Sequence, residues 1–335
     1  MNPFYLWRNP TTGSRRRLPF RKIKNALLAK YEQKRNRLSP QGLPFVAVID
    51  PANICQLSCP LCPTGQKVEG RKGGVMKLST VDRILEELGD SLIDVELDNW
   101  GEPFLNPDLY EIIARFQNRA IQTAVSTNLS FEKQFDAEEL IKSGLSHLIV
   151  SMDAATPFTY AKYRVGGNFE LVKANLKKLA EVKKKKGKAF PFVTAKFLVF
   201  PHNFHEQESF SKLARELGAD RVWFKEPYFV QSLIDRLYKN VSPQDLKHSG
   251  PPPSPKRKNC HWLWSSVAIS WDGGISPCCF GISYHSRFDY GNILEQSFCS
   301  IWLSEAYQEA RAVFLGQEPK DERAKVCAQC PHRGG

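Results

Sequence analysis

Between residues 44 and 226 the chain alternates short apolar runs with longer segments that end at glycines. The runs are 45–50, 94–98, 121–126, 147–151, 192–199 and 221–224. They are rich in β-branched residues and bounded by turn formers, so they read as buried strands. The segments between them carry helix signals. Ser79-Thr-Val-Asp82 resembles a capping box. Asn106-Pro107 pairs an N-cap with a proline at the first helical position. Asp136 caps a segment ending at Gly144, a basic segment 168–186 ends at Gly187, and one from Glu206 ends at Gly218. Strands that alternate with helices pair in parallel, with right-handed crossovers and helices on the sheet faces. This makes the chain α/β. The alternation does not say whether the sheet closes.

Directly after the first run comes Cys55-Gln-Leu-Ser-Cys59-Pro-Leu-Cys62, a C-x3-C-x2-C loop. It lies at the C-terminal end of a strand, where α/β folds build their sites. Three thiolates on one loop can each hold one iron of a cubane cluster, which usually takes four. The next cysteine is Cys260, so one iron would stay open. A zinc half-site, or three buried free thiols, are the alternatives.

The C-x3-C-x2-C loop after a first strand resembles that of the radical S-adenosylmethionine (radical SAM) enzymes. The resemblance implies a partial (β/α)6 TIM-type barrel over 44–226. It also implies a [4Fe-4S] cluster on Cys55, Cys59 and Cys62 whose open iron chelates SAM. An electron would then split SAM to a 5′-deoxyadenosyl radical that takes hydrogen from a substrate. A flavodoxin- or ferredoxin-type reductant is implied with it. Trp100-Gly101-Glu102-Pro103 is similar to the family's GGEP element for the SAM amino group, with Trp100 in place of the first glycine. Ser126-Thr127-Asn128 stands where related enzymes contact the SAM ribose. Arg164, with Ser151 beside it, is a candidate for the methionine carboxylate. His202-Asn203 and Glu206 look like the family's Asn-x-x-Glu stretch, or else cap a helix. No general base is identified: His202, Asp153 and Glu226 are all weakly supported.

A second module follows a linker, 227–259, whose Gly250-Pro-Pro-Pro253-Ser-Pro255 should be extended. In residues 260–335, Trp271-Asp-Gly-Gly274 marks a β-hairpin, and Ser304 starts a helix. Cys327-x2-Cys330 is a chelating pair that Cys260 and Cys278 can join. This order resembles the SPASM/twitch extension, which implies a small hairpin/helix iron–sulfur module with one auxiliary [4Fe-4S] cluster. Cys279 could replace Cys278, four thiolates also suit zinc, and Cys299 reads as a buried free thiol.

Composition adds one asymmetry. The net charge is +12, yet residues 1–40 hold eleven Lys or Arg and one acid, Glu32. Residues 1–43 therefore read as a basic arm, with a helix over Phe20–Arg37, either solvated or packed against the body with its charges outward. An anionic membrane surface suits it. Nucleic acid is disfavoured, because no recognised motif accompanies the charge. Nine cysteines in metal-like clusters, with no transmembrane or signal segment, point to a cytoplasmic protein, peripheral to the membrane if the arm binds it. The main functional expectation is oxidation or rearrangement of a small-molecule or sugar-type substrate, lipid-linked if the arm reaches it. Maturation of a ribosomal peptide is the alternative. A cysteine-rich scaffold for zinc or nucleic acid is the non-enzymatic one.

Overall fold

The computed structural model describes residues 7–8, 15–16, 18–226, 260–279 and 281–330. The Pro-rich linker and the first aromatic residues of the arm lie outside them. Six strands, β1 (Val46–Ile49), β2 (Asp94–Leu97), β3 (Gln122–Thr127), β4 (His147–Ser151), β5 (Phe192–Leu198) and β6 (Arg221–Lys225), pair in parallel in chain order. The period of two sorts their side chains. Val95, Leu97, Val125, Leu148, Val150, Val193 and Phe197 turn to the helices and join the main core. Glu96, Asp98, Ser126, Ser151, Lys196 and Lys225 alternate with them and face the inside of the curved sheet.

Ordered by sequence, the helices are α1 (Phe20–Lys34), α2 (Leu78–Leu88), α3 (Leu109–Asn118), α4 (Ala137–Ser143), α5 (Pro157–Tyr163), α6 (Phe169–Lys185) and α7 (Gln207–Glu216). The Asp136 carboxylate accepts from the Glu138 and Glu139 amides, and α4 stops at Gly144 with φ 85°. Two expected caps differ. Helix α2 starts at Leu78, so Ser79 lies inside it and no side chain caps it. Helix α3 starts at Leu109 with Asp108 at its N-cap, so Asn106 stands just upstream of it, where its carboxamide oxygen accepts from the Asp108 amide at 2.9 Å. Asn106 is buried, and its amide donates to the Pro51 and Met76 carbonyls, both at 2.9 Å. It ties the loop after β1 to the start of α2.

The sheet does not end at β1. Strand β7 (Ser266–Ile269) of the C-terminal module adds to β1 in parallel, and β8 (Gly274–Ser276) and β9 (Gly291–Asn292) continue antiparallel. The resulting order is β9-β8-β7-β1-β2-β3-β4-β5-β6, open at its ends. The hairpin expected around Trp271–Gly274 is present, with Gly273 at φ 86°. Helices α8 (Trp262–Ser265), α9 (Phe298–Trp302), α10 (Glu305–Ala312) and α11 (Glu322–Ala328) complete the module. Cys299 is exposed. On α9 it is Phe298, Ile301 and Trp302 that turn to the core, which leaves Cys299 outside and not buried as its neighbours suggested.

The basic helix packs into the body. Lys22 is 1% exposed, and its ammonium donates to the Leu92, Arg119 and Ala120 carbonyls at 2.6, 2.8 and 3.4 Å. These carbonyls precede β2 and β3. Asn25 exchanges two hydrogen bonds with Leu43, just before β1, both at 2.9 Å. Glu32 accepts from the Gln41 and Gly42 amides. Helix α1 thus covers the N-terminal ends of β1, β2 and β3.

One cation fastens the C-terminal module to the loop after β1. Arg71 holds Asp272 through one terminal nitrogen at 2.6 and 2.7 Å, and Asp289 through the other at the same distances. Removing one partner of a buried pair costs about 3–5 kcal/mol, because the charge left behind is uncompensated. Arg71→Met strands two carboxylates. It is expected to lower stability by about that much, measured as the shift of the urea unfolding midpoint.

Candidate active site

The cysteine loop leaves β1 through Ala52, which bridges to Val75. Asn53 then grips the returning strand: its amide nitrogen donates to the Lys72 carbonyl, and its oxygen accepts from Gly74. Within the loop the Cys62 amide donates to the Cys59 carbonyl at 3.1 Å, and Ser58 donates to Val165 at 2.8 Å. The thiols of Cys55, Cys59 and Cys62 share an apolar pocket with Leu57, Tyr163 and Phe200. None is in a disulfide. Burial pushes the Cys55 thiol up to about 12. It raises Cys59 too, against the opposing pull of Arg164. Such thiols become thiolates only beside a strong positive charge, so this donor set fits a metal cluster.

The next two loops interlock above β2 and β3. A Cβ on Gly101 would lie 2.0 Å from the Ala52 carbonyl oxygen, and the Glu102 amide donates to Ile54 at 2.9 Å. Gly101 is therefore required by backbone packed on backbone. The Glu102 carboxylate, 2% exposed, accepts from the Thr127 hydroxyl at 2.7 Å, the Asn128 amide at 2.8 Å and the Phe104 amide at 3.2 Å. Burial raises it to about 7 in spite of these donors. Thr127 in turn accepts from Leu129. The side chains of Glu102 and Thr127 are thus engaged within the protein, and they position Asn128. The Asn128 amide nitrogen stands 3.9 Å from the Cys55 sulfur. Trp100 departs from glycine for a visible reason: its indole donates to Ser283 of the C-terminal module at 2.7 Å and meets Tyr284 edge-on.

Past β4, Asp153 adopts φ 58°, is 1% exposed and binds Arg164 at 2.5 and 2.7 Å. The third guanidinium nitrogen of Arg164 lies 3.9 Å from the Cys59 sulfur. Ser151 is buried at the end of β4, in register with Lys196. Asn203 donates to the Asp153 and Leu198 carbonyls. Glu206 accepts from the Ala155 amide and the Thr156 and Thr159 hydroxyls, so this pair braces loops and holds Thr156, whose hydroxyl caps α5. His202 stacks on Phe200 with ring centroids 5.2 Å apart. Glu226 ends the described part of the barrel, exposed.

In the C-terminal module the Cys327 thiol senses the charges of Cys260 and Cys330, and burial lifts it to about 12. Tyr290 and Tyr307 sense both Cys278 and Cys327. These four cysteines therefore share one neighbourhood. Cys279 points the other way, to Glu96, Asp98 and Lys225 inside the barrel. Among the described residues no three His, Cys, Asp or Glu side chains are drawn together tightly enough for a single metal ion. A cubane spreads its ligands over several irons.

Comparison with known proteins agrees with this geometry. The model of the radical SAM superfamily matches residues 49–214, and that of SPASM, an iron–sulfur cluster-binding domain, matches residues 260–331. The chain belongs to the radical SAM superfamily. As such it uses SAM and [4Fe-4S] clusters, including an auxiliary one in the SPASM module. It is 27% identical to the PqqA peptide cyclase of Granulibacter bethesdensis over 304 residues, covering 83% of this chain and 77% of that protein. It is 34% identical to a probable GTP 3′,8-cyclase of Methanococcus maripaludis over 131 residues. That match spans 38% of this chain and 43% of the relative, and a match to the PqqA peptide cyclase of Gluconobacter oxydans spans 48% of that relative. Streptococcus suis SuiB bound to S-adenosylmethionine shares the fold over 94% of this chain and 81% of its own, with TM-score 0.62 at 17% identity.

Gly101→Ala pushes a methyl group into the Ala52 carbonyl. Overpacking of this kind costs about 1–3 kcal/mol. The variant is expected to unfold at a correspondingly lower temperature, measured by circular dichroism.

Proposed function

We propose that this radical SAM enzyme modifies a peptide. Cys55, Cys59 and Cys62 hold the SAM-binding cluster, and Cys260, Cys278, Cys327 and Cys330 hold the auxiliary one. When reduced and bound to SAM, the first cluster supplies a 5′-deoxyadenosyl radical at the C-terminal mouth of the barrel. The chain's own residues do the rest. Gly101 to Pro103 form the backbone rim next to the cluster loop. Asn128, fixed by Glu102 and Thr127, presents its side chain beside Cys55. Arg164, fixed by Asp153, offers its free nitrogen near Cys59, where it offsets thiolate charge and can receive the SAM carboxylate with Ser151 close by. A flavodoxin- or ferredoxin-type protein is the electron donor this chemistry calls for.

The observation that carries the peptide reading is the alignment with a PqqA peptide cyclase along 83% of the chain. The barrel interior supports it. Glu96 and Asp98 line one wall and Lys196 and Lys225 the other, within each other's electrostatic reach, and no ion pair joins them among the described residues. Lys196 instead contacts the Ser126 hydroxyl at 3.4 Å, and Lys225 lies over Trp223. Facing charges held apart suit a polar segment that carries charge, such as peptide side chains. The second reading, a small-molecule substrate, has its own support: an AdoMet-dependent heme synthase of Methanosarcina barkeri is 26% identical, over 83% of this chain and 88% of its own.

The test is 5′-deoxyadenosine release by the anaerobically reconstituted, reduced protein, with and without short peptides encoded beside its gene. One peptide is expected to raise the release and to lose about 2 Da on cross-linking, and Cys59→Ala should do neither. Release that no peptide raises, but a small molecule does, sinks the peptide reading. A pH profile adds a second check. Burial, then the nearby Glu96, pushes Asp98 up to about 7, so it is neutral below that pH and anionic above it. If the anion holds a substrate cation, coupled turnover rises through pH 7. Asp98→Asn should remove that rise and weaken coupling about tenfold.

A further inference from the structure

We propose that the outward face of helix α1 docks on an anionic lipid surface. The rotation of α1 is fixed by what it buries: Lys22, Ala26, Ala29 and Glu32 all turn inward. The opposite face therefore faces solvent, and it is not polar. Phe20 is 79% exposed, Leu27 50% and Tyr31 53%. Their spacing of seven and four residues places them in one line along the helix. A single exposed apolar side chain needs no explanation. Three in a line on a surface helix do, because that face normally carries the polar residues.

The charges around the line share one sign. Lys24, Lys34 and Arg35 are exposed on the same face. The sole acid of the helix, Glu32, is turned away to the Gln41 and Gly42 amides. At the edge, Arg21 is paired with Asp90. An aromatic and aliphatic line framed by cations matches the layered chemistry of an anionic bilayer surface: headgroup charge outside, acyl boundary just beneath. The shallow seat involves no spanning segment. No helix among the described residues is long and apolar enough to cross a membrane.

The placement of α1 also orients the enzyme. It covers the N-terminal ends of β1, β2 and β3, whereas the cysteine loop leaves the C-terminal end of β1. A protein docked through α1 turns its active-site mouth toward water. The helix therefore does not deliver a lipid-linked substrate to the site, and the substrate arrives from solution.

The experiment is cosedimentation of the full-length, cluster-loaded protein with vesicles of phosphatidylcholine alone or with about one-third phosphatidylglycerol. The protein should pellet with the anionic vesicles only, and less at high salt. Two triple variants, Phe20→Ser/Leu27→Ser/Tyr31→Ser and Lys24→Glu/Lys34→Glu/Arg35→Glu, should each cut the affinity at least tenfold. Both should keep the parent's melting temperature and SAM cleavage. Absence of vesicle binding by the parent overturns the proposal, as does undiminished binding by the apolar variant. Tighter binding of a 30-nucleotide RNA at the same salt gives the face to nucleic acid, and a dimer that buries it gives it to a second copy. Either result also overturns the proposal.

Discussion

A single buried guanidinium, that of Arg71, decides how the two halves of the molecule meet. It stands on the loop that returns from the cysteines and holds Asp272 in the hairpin turn and Asp289 just before β9. The Ser276 hydroxyl donates a further hydrogen bond to Asp289. Gly274 leaves room for it, since a Cβ there would lie 2.2 Å from an Asp289 oxygen. Taking Arg71 and Asp289 out of water is costly, even with Asp272 partly exposed, and apolar side chains of equal volume would often hold two modules together as well. Apolar contact, however, tolerates sliding. Two carboxylates held in different directions, each by both oxygens on one guanidinium nitrogen, fix the hairpin in one register, which aligns β7 with β1. Trp100, Ser283 and Tyr284 then close around the same junction.

The mouth of the barrel follows the same logic. Polar side chains there mostly hold loops. Glu102 joins the loop after β2 to the loop after β3, and Asp153 joins the loop after β4 to β5 through the Leu198 amide at 2.7 Å. Asn203 clasps the Asp153 carbonyl, which helps to maintain the left-handed backbone at that residue. A reacting centre on such a rim is held by residues whose own positions are already determined, and rate depends on that fixity.

Much of this was legible in the sequence. Alternation of apolar runs, glycine stops and the cap at Asp136 carried the six strands and their helices, because these are local signals. The cysteine spacing pointed to the cluster loop for the same reason. What stayed hidden was long-range. Arg71 is one arginine among many, and its partners lie some two hundred positions away. Asn106-Pro107 does open the turn that leads into α3, through the Asp108 amide, but the attachment of Asn106 to Pro51 and Met76 is invisible locally. Cys278 and Cys279 could not be told apart in a string. In the fold these two neighbours point to different sides, Cys278 toward the other module cysteines and Cys279 into the barrel. The basic run at the N-terminus read as solvated or as a helix with its charges outward, since no pattern announces that Lys22 will turn inward to three carbonyls.

That ammonium has a consequence for traffic. With α1 seated against the starts of β1, β2 and β3, the interior beside these strands is blocked at one end. Beside these three strands the way in is from the C-terminal end, so a molecule that reaches Glu96 passes the cysteine loop and Asp98 first.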